Sequence, residues 1–382
     1  MVKSPLFRGE RTIERTYLSV VSGERKGVLA TLLRALLSIA SLFYGLAILV
    51  RRALYGIGLK RQARAACPVL SVGNLVAGGT GKTPMVEHLA RRMLARGRRP
   101  AVVARGYKAR TPGAANDEAL VLGANLPGVP VVIEPVRPRG TATAVERHGA
   151  DAVILDDGFQ HWPIARDLDL VLIDALEPFG HGRLLPRGLL REPRSALARA
   201  DAVAITRADL VSAARLAEIR AAVRAIRSDA VLLEVVEEAV GVERVPGAGA
   251  VAGAVAGAAG VAGRRVVAFC GIGNPEGFFR RLGAMGAEVV ARKAFDDHHH
   301  YEAAELVALA REAKAAGADL VTTQKDAVKL TDLEGAESVY VVKIRAAIRA
   351  GEADLERLID RALERAAAAA PEAAPGARLA FA

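Results

Sequence analysis

The chain has 382 residues, of which 52% are hydrophobic and only 4% aromatic, so two globular domains with aliphatic cores are expected. The formal net charge of +11 suits an anionic partner, whether nucleic acid, a membrane surface or a phosphorylated substrate, and by itself does not choose among them. The two cysteines, Cys67 and Cys270, are far apart, which excludes a disulfide framework and is typical of a reducing compartment.

An apolar segment near the N-terminus predicts contact with a membrane. Residues 1–27 are polar, and the following stretch from Val28 to Val50 is apolar except for Arg34. Its uncharged part would make a helix of about 24 Å, shorter than a hydrocarbon core of about 30 Å. A short span and a helix lying in the interface both remain open, with a buried core helix as the competing interpretation. We therefore predict a membrane-associated segment over residues 1–62.

A glycine-rich turn lies between a predicted strand and a predicted helix. Backbone N–H groups in such a turn, together with the helix N-terminus, cradle phosphate oxygens. Lys82 is expected to reach the β- and γ-phosphates and Thr83 to ligate Mg²⁺, although Val76 replaces the first glycine of the G-x4-G-K-[ST] template. The predicted nucleotide-binding residues are Val76, Ala77, Gly78, Gly79, Thr80, Gly81, Lys82 and Thr83.

From Cys67 onwards apolar strands alternate with helices, which indicates an α/β fold with a parallel sheet covered on both faces. The predicted strands are 68–73, 100–104, 130–133, 151–155, 169–174 and 201–205, and the predicted helices include 84–97, 140–149 and 208–226. We expect a P-loop-type domain over 63–240, a Gly/Ala-rich linker or insertion over 241–263, a second, smaller α/β domain over 264–366 and a disordered tail over 367–382.

Two acidic pairs are candidates for chemistry. Asp156 and Asp157 end an apolar strand, where parallel sheets place their ligands, so this pair is expected to hold Mg²⁺ directly or through water. Asp117 and Glu118 lie in a predicted polar loop, where a solvated pair is the default interpretation.

Three consecutive histidines, residues 298–300, follow a predicted strand over 288–294. Adjacent histidines cannot all face one metal from a regular element, which disfavours zinc binding. A histidine that acts as a base, or orients one, is the better interpretation, since a kinase must handle a hydroxyl proton.

Basic residues and further glycines raise three weaker possibilities. Arg183, Arg187 and Arg191 lie in one loop, and guanidinium groups suit phosphate oxygens. The stretch after Cys270 contains G-x-G but lacks the third glycine of a dinucleotide site. Thr206-Arg-Ala-Asp209 approaches the guanine-reading [NT]-K-x-D pattern, with arginine where lysine belongs.

Together these motifs resemble those of the tetraacyldisaccharide 4'-kinase family of Gram-negative bacteria. The resemblance covers residues 70–330 in the family's order, with departures at Asp296, usually proline, and Gln324, usually glutamate. The matching stretches are Ser71-Val-Gly-Asn74, Gly78-Gly-Thr-Gly-Lys-Thr-Pro84, Arg105-Gly-Tyr107, Asp117-Glu118, Asp156-Asp-Gly-Phe-Gln-His161, Gly182-Arg-Leu-Leu-Pro186, Leu190-Arg-Glu-Pro193, Asp297-His-His-His-Tyr301 and Thr322-Thr-Gln-Lys-Asp-Ala-Val-Lys-Leu330.

The resemblance implies phosphorylation by ATP and Mg²⁺ of the 4'-hydroxyl of a tetraacylated disaccharide 1-phosphate, giving lipid IVA in lipid A biosynthesis. The N-terminal helix would dock on the cytoplasmic face of the inner membrane and help admit the lipid. Neither nucleic acid nor an obligatory protein partner is expected.

The same resemblance assigns roles to individual residues. Asp117 would activate the sugar hydroxyl, paired with His298. The implied catalytic residues are Asp117, His298, Lys82 and Arg191, and the implied metal contacts are Thr83, Asp156, Asp157 and Glu192.

A membrane-attached GTPase or ATPase switch that acts on a protein partner is the alternative function. Its best support is Thr206-Arg-Ala-Asp209. Against it, the second α/β unit carries Asp and His residues that a switch does not need. A nucleic-acid-dependent ATPase is disfavoured because the chain lacks aromatic or repeat signatures of strand binding.

Overall fold

Alternating helices and strands make up most of the chain, as a computed structural model shows for residues 9–106, 116–245 and 258–369. The helices are α1 Gly9–Ser22, α2 Val28–Gly56, α3 Lys82–Ala95, α4 Asp117–Asn125, α5 Arg137–His148, α6 Ala213–Arg224, α7 Pro275–Ala284, α8 Ala303–Ala315, α9 Gln324–Ala327 and α10 Glu352–Ala369. The strands are β1 Val69–Asn74, β2 Pro100–Ala104, β3 Val131–Ile133, β4 Ala152–Asp156, β5 Leu168–Asp174, β6 Ala202–Thr206, β7 Val231–Arg244, β8 Arg265–Cys270, β9 Glu288–Ala294, β10 Asp319–Thr323 and β11 Val339–Ala350. The α/β class is confirmed.

The described residues form two compact units that are interleaved along the chain. Unit 1 takes its residues from Met1–Thr80, Asp157–Val235 and Ile348–Pro371, and unit 2 from Gly81–Asp156 and Val236–Ala347. The domain boundaries expected from the sequence stay a prediction. Most of the Gly/Ala-rich stretch and of the C-terminal tail lies outside the described residues.

Unit 1 contains a parallel sheet in the order β1-β5-β6, followed by the start of β7. Leu70 pairs with Leu168 and Ala202 with Val231, so neighbouring strands start level with each other. These strands are buried apolar runs, as parallel strands covered on both faces must be. The positions of β1, β5 and β6 agree with the sequence prediction to within one residue, because an uninterrupted apolar run is a local signal, whereas β7 was not predicted.

The N-terminal part of unit 1 is a pair of helices, of which the sequence predicted only α2. Within the described residues, α2 is the one helix long and apolar enough to cross a membrane, by length and composition alone. Its apolar side chains are exposed, so the interpretation as a core helix is wrong. Arg34, which interrupts the apolar run, donates hydrogen bonds to the backbone oxygens of Arg25 at 2.8 Å and Val20 at 3.4 Å.

Unit 2 contains two groups of parallel strands. One has the order β3-β2-β4, with α3 and α5 packed on it, and the other has the order β11-β10-β8-β9. Alternate residues of β8 enter different cores: Val267 and Phe269 pack with α8, whereas Val266 and Ala268 pack with α7. Both faces of this second group are therefore covered by helices.

The structure corrects the interpretation of Asp117 and Glu118 as members of a polar loop. They form the first turn of α4, whose N-cap is Asn116, with the Asn116 side chain accepting a hydrogen bond from Ala119 N at 3.1 Å. Asparagine is a preferred N-cap residue, and acidic residues in the first turn interact favourably with the helix dipole. The pair is therefore held in a defined position.

A close backbone approach in unit 1 gives a stability test. A Cβ added to Gly73 on β1 would lie 2.5 Å from Phe159 Cβ and 2.8 Å from Phe159 N. We expect Gly73→Ala to lower the free energy of unfolding by about 1–3 kcal/mol, measured by denaturant unfolding, because one chain segment must shift. Gly123→Ala is the control, since a Cβ there meets nothing within 4 Å and lies in α4, where alanine is favoured. Equal stability of the two variants would contradict this packing.

Candidate active site

The predicted phosphate-binding loop connects β1 to α3, as the sequence indicated. Gly81 is the N-cap of α3 in a left-handed conformation with φ 83°, so the helix begins at Lys82. Gly78 and Gly79 are exposed, and a Cβ on either would meet nothing within 4 Å. The loop thus faces open space beside a helix N-terminus, whose first N–H groups have no partner within the helix. This arrangement fits the phosphates of a nucleotide.

The inner side of this loop is fixed by hydrogen bonds to its carbonyl groups. Asn74 at the end of β1 donates from Nδ2 to Val76 O at 2.7 Å and to Thr80 Oγ1 at 2.9 Å. The hydroxyl of Thr206, at the end of β6, donates to Thr80 O at 3.0 Å. Because these peptide planes are already held, a bound phosphate does not have to order them. Sequence analysis assigned no role to Asn74 or to the Thr206 hydroxyl.

Arg207 supports the same loop and does not resemble a base-reading residue. Its guanidinium donates to Gly79 O at 3.0 Å and forms an ion pair with Asp174 at the end of β5. Asp174 and Gly79 precede Arg207 by 33 and 128 residues, so local sequence gave no signal for these contacts. The similarity to a guanine-reading pattern therefore has a structural explanation.

The loop that carries Arg191 lies against the start of the phosphate-binding loop. Arg191 N donates to Leu75 O at 2.7 Å, and Ala77 N donates to Leu189 O at 2.8 Å. The Arg191 guanidinium donates to both carboxylate oxygens of Asp157, at 2.7 and 2.8 Å. Two of the predicted site residues, Arg191 and Asp157, are thus brought together beside the loop.

Glu192 is buried and already has a cationic partner. Its carboxylate forms an ion pair with Arg199 at 2.8 Å, and the Arg199 guanidinium lies 4.4 Å from the ring centroids of both Phe159 and Trp162. Sequence reasoning missed Arg199. In the part of the chain that the structure describes, no group of three or more His, Cys, Asp or Glu is arranged to hold a metal ion.

A magnesium ion that binds together with a nucleotide does not need a group of three protein ligands. Thr83 lies in the first turn of α3, α3 packs against β4, and Asp156 is the last residue of β4. Hydroxyl and carboxylate oxygens are the ligands that Mg²⁺ prefers, and it usually takes only one or two from the protein beside phosphates and water. The residues present fit the ion.

Asp117 and His298 are in contact within unit 2. His298 Nδ1 lies 3.0 Å from Asp117 Oδ2, and Lys329 Nζ lies 3.7 Å from the same oxygen. Burial raises the pKa of Asp117, but the His298 hydrogen bond and nearby positive charges, that of Lys329 first, together lower it below its ordinary value. Asp117 is therefore a carboxylate at neutral pH.

Only one of the three consecutive histidines enters this contact. His298 has a left-handed backbone, with φ 65°, and its N–H donates to Gly271 O at 3.2 Å. His299 instead stacks on Phe295 and lies 2.9 Å from Glu305 Oε2. Gly271, the first glycine of the G-x-G stretch, thus accepts a hydrogen bond from the backbone of His298.

Helix α4 is connected to both of its helical neighbours through Asn125. Its side chain donates to Glu87 of α3 at 2.9 Å and accepts from Gln324 Nε2 of α9 at 3.0 Å. Gln324 Oε1 also accepts from Ile344 N at 3.1 Å, so its amide both donates and accepts. A glutamate at position 324 could accept from Ile344 N but could not donate to Asn125, whereas glutamine makes both hydrogen bonds. The helix that begins with Lys82 and the helix that begins with Asp117 belong to one packed group.

Comparisons with protein-family models, with known proteins and with solved structures all identify the same family. A family model described as tetraacyldisaccharide-1-P 4'-kinase (LpxK) matches residues 33–364. The tetraacyldisaccharide 4'-kinase of Anaeromyxobacter dehalogenans strain 2CP-C is 43% identical, covering 87% of this chain and 92% of that protein. The enzyme of that name from Halothermothrix orenii is 35% identical over 91% and 98%. A crystal structure of LpxK from Aquifex aeolicus in complex with ATP superposes with a TM-score of 0.68 at 28% identity, covering 87% of this chain and 99% of that one.

Loss of the contact between Arg207 and Gly79 is expected to weaken nucleotide binding. We expect Arg207→Met to raise the KM for the nucleotide about tenfold, with a smaller effect on kcat, because a charge-assisted hydrogen bond to the loop is lost. Steady-state kinetics at varied nucleotide concentration measure this. Arg215→Met is the control, since among the described residues the Arg215 guanidinium forms an ion pair with the exposed Glu218 alone. A folded Arg207→Met protein with unchanged KM would show that the loop does not need this support.

Proposed function

The chain belongs to the tetraacyldisaccharide-1-P 4'-kinase family, and we infer from its site how it transfers the γ-phosphoryl group of ATP to the 4'-hydroxyl of tetraacyldisaccharide 1-phosphate. The observation that carries this inference is the contact between Asp117 and His298, 3.0 Å apart. The two residues are separated by 181 positions in the sequence and meet at the N-terminus of α4.

Asp117 is proposed as the general base. Its lowered pKa keeps it ionised, and the contact with His298 orients the carboxylate. As the sugar oxygen forms its bond to the γ-phosphorus, the hydroxyl proton passes to Asp117 and the bond from phosphorus to the bridging oxygen breaks, releasing ADP. The transition state of phosphoryl transfer is loose, so positioning and charge neutralisation contribute more than the base.

The phosphate-binding loop is proposed to hold the donor. Backbone N–H groups of residues 76–83 would surround the β- and γ-phosphates, with Lys82 supplying a positive charge. Thr83 and Asp156 would hold Mg²⁺, which when bound neutralises charge on the transferring phosphate. Since Asp157 already accepts two hydrogen bonds from Arg191, we assign it to holding that guanidinium towards the phosphates.

We place the lipid acceptor and the membrane on the side of α2. Its exposed apolar residues, among them Leu42 and Phe43, suit the acyl region, and Arg51 and Arg52 suit anionic headgroups. We assign this membrane contact to the cytoplasmic face of the inner membrane, because the reaction needs ATP.

Contacts of α1 and α2 with residues 184–191 support this placement. Tyr44 donates to Arg191 O at 2.9 Å, Ser41 to Leu184 O at 3.0 Å and Tyr17 to Pro186 O at 2.9 Å. The helices proposed to meet the lipid thus support the loop that carries Arg191. The GTPase switch is disfavoured by family membership and by the contacts of Arg207.

Asp117→Asn tests the base. With labelled ATP, Mg²⁺ and the disaccharide 1-phosphate lipid, we expect kcat for the 4'-phosphorylated product to fall about 10²- to 10⁴-fold, because the amide cannot accept the proton. The KM for ATP should hardly change. Asp332→Asn, at an exposed position of unit 2, is the matched control. Near-normal kcat in a folded Asp117→Asn protein would refute the assignment.

Leu42→Gln combined with Phe43→Gln tests the membrane contact. The two side chains are 73% and 69% exposed, and burying such a residue contributes about 1.5–3 kcal/mol. We expect the double variant to bind anionic phospholipid vesicles at least about tenfold more weakly in a flotation assay. The control is Leu94→Gln with Val307→Gln, two exposed apolar residues outside α2. Equal vesicle binding by both double variants would place the membrane elsewhere.

A further inference from the structure

A lysine lies against the ring nitrogen of His298 that does not face Asp117. Lys325, in the first turn of α9, has its Nζ 3.3 Å from His298 Nε2. The same Nζ lies 2.8 Å from Asp297 Oδ1 and 3.3 Å from Glu118 Oε1. Lys325 belongs to a stretch that carries the family resemblance, but no role for this lysine was predicted from the sequence.

The lysine in this position is an ammonium ion. Burial lowers the pKa of Lys325, but the charges of Glu118 and Asp297 and their hydrogen bonds outweigh that effect and raise it. An ammonium group donates hydrogen bonds and accepts none. Nε2 of His298 must therefore present its lone pair to Lys325, which leaves the ring proton of the neutral imidazole on Nδ1.

We propose that Lys325 is a positioning residue that fixes His298 as the neutral Nδ1–H tautomer, so that His298 donates to Asp117 and holds it as the base. This rests on the proposed role of Asp117. The contacts that the described residues make with the Asp117 carboxylate, from His298 and Lys329, are both to Oδ2. Oδ1 is then the oxygen that takes the sugar proton.

The charges around His298 explain why a cation is needed there. Asp117 lies 3.0 Å from Nδ1, while Asp297 and Glu118 lie 3.7 and 3.9 Å from Nε2. Two carboxylates beside Nε2 would favour a ring hydrogen on that nitrogen, and so disfavour the tautomer that donates to Asp117. The ammonium of Lys325 binds both of these carboxylates and itself donates to Nε2.

Nitrogen NMR of the full chain in detergent, with ¹⁵N-labelled histidine, tests the tautomer directly. His298→Asn assigns the resonances by their disappearance. In the wild-type protein we expect the pattern of an imidazole protonated on Nδ1 with Nε2 accepting a hydrogen bond. A ring protonated on Nε2, or on both nitrogens at neutral pH, would overturn the proposal. This measurement does not depend on turnover, so it fails or succeeds separately from the assignment of Asp117 as the base.

Two substitutions separate the charge of Lys325 from its hydrogen bond. Lys325→Met removes both, so we expect the Nδ1–H pattern to be lost, kcat to fall about tenfold or more, and the acid limb of the kcat profile to move up by about 1 pH unit. Lys325→Gln keeps a donor without charge, so the tautomer should persist while the acid limb still moves. Neither change should alter the KM for ATP. Lys314→Met, an exposed lysine of unit 2, is the control. The proposal would be refuted by a Lys325→Met protein in which His298 keeps its wild-type tautomer and kcat keeps its wild-type pH profile.

Discussion

The hydrogen bond between Asp117 and His298 is the contact that the rest of unit 2 has to support. A buried carboxylate loses its hydration, and burial alone raises the pKa of Asp117. The structure compensates with the first turn of α4, the left-handed loop at His298 and the ammonium of Lys329. Each comes from a different part of the sequence, so the arrangement of the proposed base forms only when α4, the turn after α9 and the loop after β9 are packed together.

In unit 1, hydrogen bonds fix the backbone of the glycine-rich loop, while the space next to Gly78 and Gly79 stays open. Asn74, Thr206 and Arg207 bind its carbonyl groups from the inner side, and the segment ending at Arg191 pairs with its first residues. Tyr44 of α2 holds the carbonyl of Arg191. Helix α2 and the phosphate-binding loop therefore both contact the segment that ends at Arg191, so a displacement of α2 would also affect the loop.

The sequence predicted the features whose signals are local. Apolar runs predicted β1 to β6 and β9, and the helix predicted over 84–97 corresponds to α3, which begins at Lys82. It missed α1, which is polar, and placed Asp117 in a loop because one acidic pair does not distinguish a helix start from solvent. The pairing of Asp117 with His298 came from family resemblance. The contacts of Arg207 with Gly79, 128 residues away, and of Lys325 with His298 have no local pattern, because tertiary packing alone creates them.

The charges around Asp117 bear on its proposed role as a base. Asp117, Glu118, Asp297 and Asp326 contribute four carboxyl groups, whereas Lys325 and Lys329 contribute two ammonium groups. With the neutral His298 proposed above, the cluster has a negative excess, which would favour a proton transferred to Asp117. The phosphate-binding loop has the opposite character, with Lys82 and a helix N-terminus. If Nδ1 of His298 carries the ring hydrogen and Nε2 faces Lys325, as proposed, His298 has no place for a further proton, and a proton accepted by Asp117 would have to leave to water.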